Sequence, residues 1–213
     1  MASINTEDIE IVDKKDQDST SIEEYAPELL IKHPLQHTWT LWYYETDRTR
    51  AWDECQKEVI SFNTAEDFWS LYNHIKSPSE LKSGCDYSMF KQGIRPMWED
   101  DANKNGGKWV LQLDKKQRLS DLDNFWLEIV LCMIGEAFHE HSDDVCGAVA
   151  SVRPKGDRIG IWTADFNKSQ AVLDIGRKLK ERLKIQPKQT IGYQVHRDTM
   201  VKAGSVTKNT YSV

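Results

Sequence analysis

The sequence predicts an α+β fold, a single domain in which one antiparallel sheet carries helices on one face. Three observations carry this expectation. Short runs of alternating, β-favouring residues recur along the chain, and three longer stretches repeat their apolar residues at helical spacing. The two kinds do not alternate in the regular βαβ order that a parallel sheet requires. A chain of 213 residues is long enough for one generous core.

The net charge of −6 is unevenly spread. Residues 1–30 hold nine acids and two bases, whereas the rest holds 25 acids and 26 bases. Residues 1–32, poor in large apolar side chains, read as a disordered acidic arm, and order is expected from residue 33 to residue 213. The near-neutral remainder does not repel a polyanion but lacks a global basic field, so any nucleic-acid contact has a small footprint. Cys55, Cys85, Cys132 and Cys146 show no C-x-x-C spacing and read as free thiols of a reducing compartment. No apolar run approaches the length of a membrane span, and Met1-Ala2-Ser3 does not begin a signal peptide. A cytoplasmic or nuclear protein without a membrane partner is expected.

In chain order, Trp39–Tyr44 is aromatic and β-favouring, a strand. Residues 46–53 are polar and turn-like, which puts Trp52 on a loop, and Val59–Phe62 is a short strand. Thr64-Ala65-Glu66-Asp67 has capping-box spacing and opens a helix to about Ile75, with Phe68, Leu71, Tyr72 and Ile75 inward. Trp69 lies at the edge of that stripe, either packed under a loop or part of an exposed patch. Cys85–Phe90 and Trp109–Leu113 alternate as strands. Ser120-Asp121-Leu122-Asp123 is expected to cap the longest helix, running to about Phe138. That helix has one apolar face through Leu122, Phe125, Trp126, Ile129, Met133 and Ala137 and a second through Leu127, Leu131, Ile134 and Phe138. Such width fits a central helix covered on both sides, which the pattern slightly favours, or a docking surface for a partner's helix. Val145–Arg153 and Arg158–Thr163 form a hairpin, which places Arg158, Gly160 and Trp162 on one face. A helix from Ser169 to Lys184, a strand Ile191–Val195 and a mobile loop over 202–209 complete the chain.

The loop from Arg95 to Trp109 is the most informative stretch. Pro96 and the Asn-Gly-Gly run mark it as irregular, yet it carries Trp98 directly before three carboxylates. An exposed indole beside carboxylates is a platform for a flat, electron-poor ring, whose edge N–H groups a carboxylate can accept. The same residues also read as a solvated acidic loop with a half-buried Trp. With Trp52 on a second loop and Arg153, Arg158 and Lys108 to hold phosphates, the best fit is a cationic purine joined to a polyphosphate. A ring cation between two indoles gains on both faces, and a neutral ring does not.

The chain resembles the eukaryotic translation initiation factor 4E family from about His33 to Val213. The resemblance rests on His33-Pro34-Leu35, Glu66-Asp67-Phe68-Trp69, Cys85-Asp86-Tyr87-Ser88, Pro96-Met97-Trp98-Glu99-Asp100, Ser120-Asp121-Leu122-Asp123 and Asp144-Val145-Cys146-Gly147-Ala148-Val149. It implies a strongly curved antiparallel sheet with three helices on its convex face, and a protein that binds the 7-methylguanosine cap of mRNA, with 7-methyl-GTP as minimal ligand. Trp52 and Trp98 would then stack on the ring, Glu99 would accept N1–H and the 2-amino group, and the Trp98 backbone N–H would donate to O6. Trp162 would touch the N7-methyl, and Arg153 and Arg158 would bind phosphate, with Lys108 and Lys155 as helpers. The family often has Arg at position 108 and Lys at position 158, a retained charge with changed geometry.

The resemblance also gives the second apolar face a use. His33, Pro34, Ala65, Trp69, Leu127, Glu128, Leu131 and Gly135 would receive a helical Tyr-x-x-x-x-Leu-apolar motif of the scaffold subunit 4G or of inhibitory 4E-binding proteins. Many relatives carry Val where this chain has Ala65. Ser205 matches the family's phosphorylation site. The resemblance leaves open whether the chain activates translation or is a repressing paralogue.

No cofactor is implied and no enzyme is expected, since the chain holds no P-loop, His-Glu-x-x-His or Gly-x-Ser-x-Gly. His139-Glu140-His141 with Asp143-Asp144 reads as a solvated loop rather than a metal site. The rival of another class is an aromatic cage for methylated-lysine peptides, which leaves Arg153 and Arg158 without a ligand.

Overall fold

Eight strands pair antiparallel into one curved, unclosed sheet in the computed structural model, which describes residues 31–201 and 208–213. In chain order the elements are β1 (Pro34–Glu45), β2 (Gln56–Thr64), α1 (Ala65–His74), β3 (Cys85–Lys91), β4 (Gly107–Leu113), α2 (Gln117–Ser120) and α3 (Leu122–Ile134). They continue with β5 (Val145–Ser151), β6 (Asp157–Thr163), α4 (Ser169–Arg182), β7 (Gly192–Val195), α5 (His196–Val201) and β8 (Tyr211–Ser212). Across the sheet the order is β2-β1-β3-β5-β6-β4-β7-β8. The arm expected over residues 1–32 falls almost wholly outside the described residues.

Alternation decides which side chains meet. Leu41, Met89, Ala148, Ile161 and Trp109 point to one face and join Phe68, Trp126, Ile129, Val172 and Ile175 from α1, α3 and α4 in one buried core. These three helices cover the convex face. Contact there is close: a Cβ added to Gly176 of α4 would sit 2.3 Å from the Trp109 ring. Trp109 Nε1 also donates to the Val172 carbonyl at 2.9 Å, so the helix is held by shape and by a hydrogen bond. The opposite face carries Asp86, Ser88, Val149, Lys108, Arg158, Gly160 and Trp162, which line a cleft.

The expected strands are all present, mostly longer than the sequence suggests. Thr64 caps α1 as its spacing predicts, accepting from Asp67 N at 3.2 Å. The expectation for α3 needs correction. Ser120 and Asp121 do not cap it; Ser120 closes the short α2, and the Asp121 side chain makes no cap bond. Asp123 instead accepts from Ser79 N and Oγ at 2.8 and 2.6 Å. The helix stops at Ile134 rather than Phe138, and with 13 residues it is shorter than the 14-residue α4. Glu136 takes a left-handed φ of 54°, while Glu136 N and Ala137 N donate back to Met133 and Cys132, a left-handed helix terminus. Phe138 is still buried, so its apolar spacing reported burial and not helix. The short α5 and β8 were not expected.

Candidate functional site

The Arg95–Gly106 loop is fixed by its own polar side chains. Asp100 accepts from the backbone N–H of Arg95 and of Ala102, both at 3.0 Å. Asn103, fully buried, donates through Nδ2 to the carbonyls of Arg95 and Met97 at 2.9 and 2.8 Å. Asp101 pairs with Lys104 at 2.8 Å, so two of the three carboxylates after Trp98 are engaged. Glu99 is the third, exposed at the cleft wall and without a hydrogen bond to any described residue. A rigid loop therefore displays Trp98, which stays 41% exposed, next to one unengaged carboxylate.

Trp52 enters from another loop. Cys55 is buried beneath it, and its N–H donates to the Trp52 carbonyl at 3.2 Å. Asp47 accepts from Thr49 N and Oγ1 at 2.9 and 2.6 Å, which closes the preceding turn. The indole packs against Tyr44, with centroids 5.8 Å apart, and remains 48% exposed. Both loop tryptophans line the same cleft of about 580 Å³.

Sheet residues build its floor. Arg153 grips Asp86 with both terminal nitrogens, one at 3.0 Å, and also donates to the Val152 carbonyl. Burial pushes the Asp86 carboxyl up, and the Arg153 fork pulls part of that back. Burial and then the nearby Arg158 push the Lys108 ammonium down. A bound polyanion would relieve that strain. The Lys108 Nζ lies 5.6 Å from the Trp162 ring centroid, and Trp162 is mostly buried against Phe90 and His196. Of the eight residues expected to form the site, Trp52, Trp98, Glu99, Lys108, Arg153, Arg158 and Trp162 line the cleft. Lys155 does not; it is exposed in the turn between β5 and β6.

Sequence reasoning missed Asp86, Gln194 and His196. Alternation accounts for two of them: Asp86 is in register with Ser151, which faces Arg158, and Gln194 with Lys108, whereas His196 opens α5 just past β7. His196 is 2% exposed, and its Nε2 has no hydrogen-bond partner among the described residues. Burial, then Lys108, pushes its pKa down to about 3, so the ring is neutral at neutral pH.

A second region lies on the helical side. Trp69 is 41% exposed and packs on Phe68 and Tyr72. His33 is tied to α1, donating through its N–H to Glu66 at 2.8 Å, and its carbonyl accepts from Ala65 N at 2.9 Å. On α3, Leu127 and Leu131 are half-buried, while Ile134, and Phe138 beyond the helix end, are buried. The broad apolar face therefore divides into a covered part and a partly open one. Glu128 pairs with Arg182 of α4 at 2.7 Å, Gly135 is exposed at the helix end, and Pro34 is exposed at the start of β1. Ser205 lies outside the described residues. No group of three metal-ligating side chains occurs among the described residues, and His141 instead lies 3.4 Å from Asp174.

A curved open sheet with a half-open cleft, walled by two displayed indoles over a cationic floor, defines a binding protein for a flat ring that carries phosphate. A sequence model described as Eukaryotic initiation factor 4E matches residues 34–211, and the chain belongs to that family. It is 52% identical over 213 residues to eukaryotic translation initiation factor 4E of Xenopus laevis, covering all of both chains. The crystal structure of Ascaris suum eIF4E-3 with an m2,2,7G cap superposes with a TM-score of 0.81 at 46% identity, over 86% of this chain and 99% of that one. C. elegans eIF4E-3, in complex with the 4E-binding protein Mextli and a cap analog, gives 0.80 at 43% identity, over 86% and 100%.

Proposed function

We propose that the cleft binds the 7-methylguanosine 5′ cap of mRNA, and that the helical side recruits a scaffold subunit to begin cap-dependent translation in the cytoplasm. The carrying observation is that Trp52 and Trp98, both exposed, share one cleft with the unengaged Glu99. In this reading the indoles sandwich the cationic ring, and Glu99 accepts N1–H and the 2-amino group. Trp162 lies against the N7-methyl, and Arg158, Lys108 and Arg153 hold the phosphates, with Lys155 reaching in from its turn. The relatives support this, since solved structures of similar chains hold cap analogs and 4E-binding proteins. Trp69, Leu127, Leu131, Glu128 and Gly135, bordered by His33, Pro34 and Ala65, receive the Tyr-x-x-x-x-Leu-apolar helix of a 4G scaffold or of an inhibitory 4E-binding protein. The protein binds and does not transform its ligand. A methyl-lysine peptide is disfavoured because Lys108, Arg153 and Arg158 would face its charge.

The test is a tryptophan-fluorescence titration with 7-methyl-GTP and with GTP in the same salt. The expected result is quenching by the methylated ligand, bound about a hundredfold (~2.7 kcal/mol) more tightly. Trp98→Ala should weaken it by about 1–3 kcal/mol. Equal affinity for both nucleotides would defeat recognition by ring charge.

A further inference from the structure

We propose that Lys115 and Lys116, beside the mouth of the cleft, hold backbone phosphates of the RNA that continues from the bound cap. This rests on the cap reading above but concerns residues outside the cleft. The two lysines lie between β4 and α2, and both are exposed. Their segment is bolted to the turn between β5 and β6. Arg118 donates to both carboxylate oxygens of the buried Asp157 at 2.6 and 2.7 Å, and to the Arg153 carbonyl at 2.8 Å. Asp157 also accepts from the Arg153 N–H at 3.0 Å. At Gly156 the two segments touch: a Cβ there would lie 2.8 Å from the Leu113 carbonyl oxygen and 4.0 Å from Asp114 Cα.

The backbone beneath the lysines is fixed as well. Asp114 accepts from Lys116 N and Gln117 N at 2.8 and 2.9 Å, and Gln117 accepts from Asp114 N at 3.0 Å. The two arginines each have a carboxylate partner, Asp157 for Arg118 and Asp86 for Arg153. Lys115, Lys116, Lys155 and Arg158 form no ion pair among the described residues, and all are exposed. Three unpaired lysines on two adjoining turns, with Arg158 beside them at the start of β6, outnumber the one exposed carboxylate of the segment, Asp114, and make a local positive field in a nearly neutral domain. RNA suits it better than an acidic peptide. A strand tethered by its cap reaches the strip at high effective concentration, so weak lysine–phosphate contacts suffice.

The experiment measures affinity against salt for three probes: 7-methyl-GTP, a capped oligoribonucleotide, and the same oligoribonucleotide uncapped. The full-length protein is compared with Lys115→Glu/Lys116→Glu and with a charge-matched control on the helical side, Lys76→Glu/Lys178→Glu. We expect the capped RNA to bind the wild type more tightly than 7-methyl-GTP. Its slope of log affinity against log salt should be steeper by at least about 1.4, at ~0.7 per lysine engaged. The Lys115/Lys116 variant should lose that increment with 7-methyl-GTP affinity unchanged, and the control should keep it. Capped RNA bound by that variant with wild-type affinity and slope overturns the proposal. Should 7-methyl-GTP fail to bind at all, the cap reading falls. The uncapped probe at low salt still decides the strip, by losing affinity in the Lys115/Lys116 variant but not in the control, or by losing none.

Discussion

Trp109 on the helical side of the sheet and Trp98 on the open side show two uses of one residue type. Trp109 is fully buried, with its ring against Gly176 and its N–H on a carbonyl of α4. Trp98 keeps much of its ring in solvent because Asp100 and Asn103 fix the backbone on either side of it. Packing positions the first indole, and loop hydrogen bonds position the second. The helical face therefore holds its aromatics through stability, whereas the open face displays them for a ligand. The two faces should respond to substitution in opposite ways.

The largest separation is expected from Trp109→Ala, which should lower unfolding free energy by about 3–5 kcal/mol in a denaturant titration. Trp98→Ala should move it by under ~1 kcal/mol. Glu99→Ala should reduce 7-methyl-GTP affinity by about 2–4 kcal/mol with stability unchanged, since it removes the acceptor of a charge-assisted pair. A loss of stability there would show that Glu99 belongs to the loop's scaffold. Asn103→Ala blurs the two faces on purpose. It leaves two carbonyls without their donor, costing about 1–3 kcal/mol of stability, and it should weaken the cap although Asn103 does not line the cleft. Trp69→Ala should leave cap affinity intact and weaken a helical Tyr-x-x-x-x-Leu peptide by about 2 kcal/mol, read by calorimetry. Loss of both would make Trp69 structural.

The last effect is absent at neutral pH and opens only in acid. Burial holds His196 neutral in the fold, with a pKa of about 3 against 6.5 for the unperturbed ring. Between those values the unfolded chain binds one more proton than the folded one. Stability contributed by the neutral ring is therefore complete above 6.5 and falls as pH drops below it. The slope is about 1.4 kcal/mol per pH unit. His196→Gln should flatten the acid limb of a pH–stability profile.

Much of this is legible in the amino-acid sequence. Alternation placed Arg158, Gly160 and Trp162 on one face, and they line the cleft together. Helical spacing found the inward stripe of α1, because short-range periodicity records burial directly. What it records is burial alone, which is why Phe138 looked helical when a left-handed Glu136 had already ended α3. Trp98 and Trp52 were legible as tryptophans on loops. That Glu99 is the unengaged carboxylate of three was not, since the partners of Asp100 and Asp101 depend on how the loop closes. His196 was hidden because its face is set by the register of β7 with β4, a long-range pairing that local pattern does not encode.

An unclosed sheet leaves edges, and edges recruit other strands. At one side β8 is only two residues long, too short to template a partner. At the other, β2 is nine residues long and leaves Val59 and Ile60 about half exposed, the composition of an aggregation-prone segment. The slip in register between Leu41 and Trp42 leaves Val59 as an extra residue, which kinks the strand, and Lys57 and Glu58 put charge beside it. A neighbouring copy thus meets a bent, charged border instead of a flat ladder. The domain can keep its sheet open around a ligand and still remain dispersed in a crowded solution.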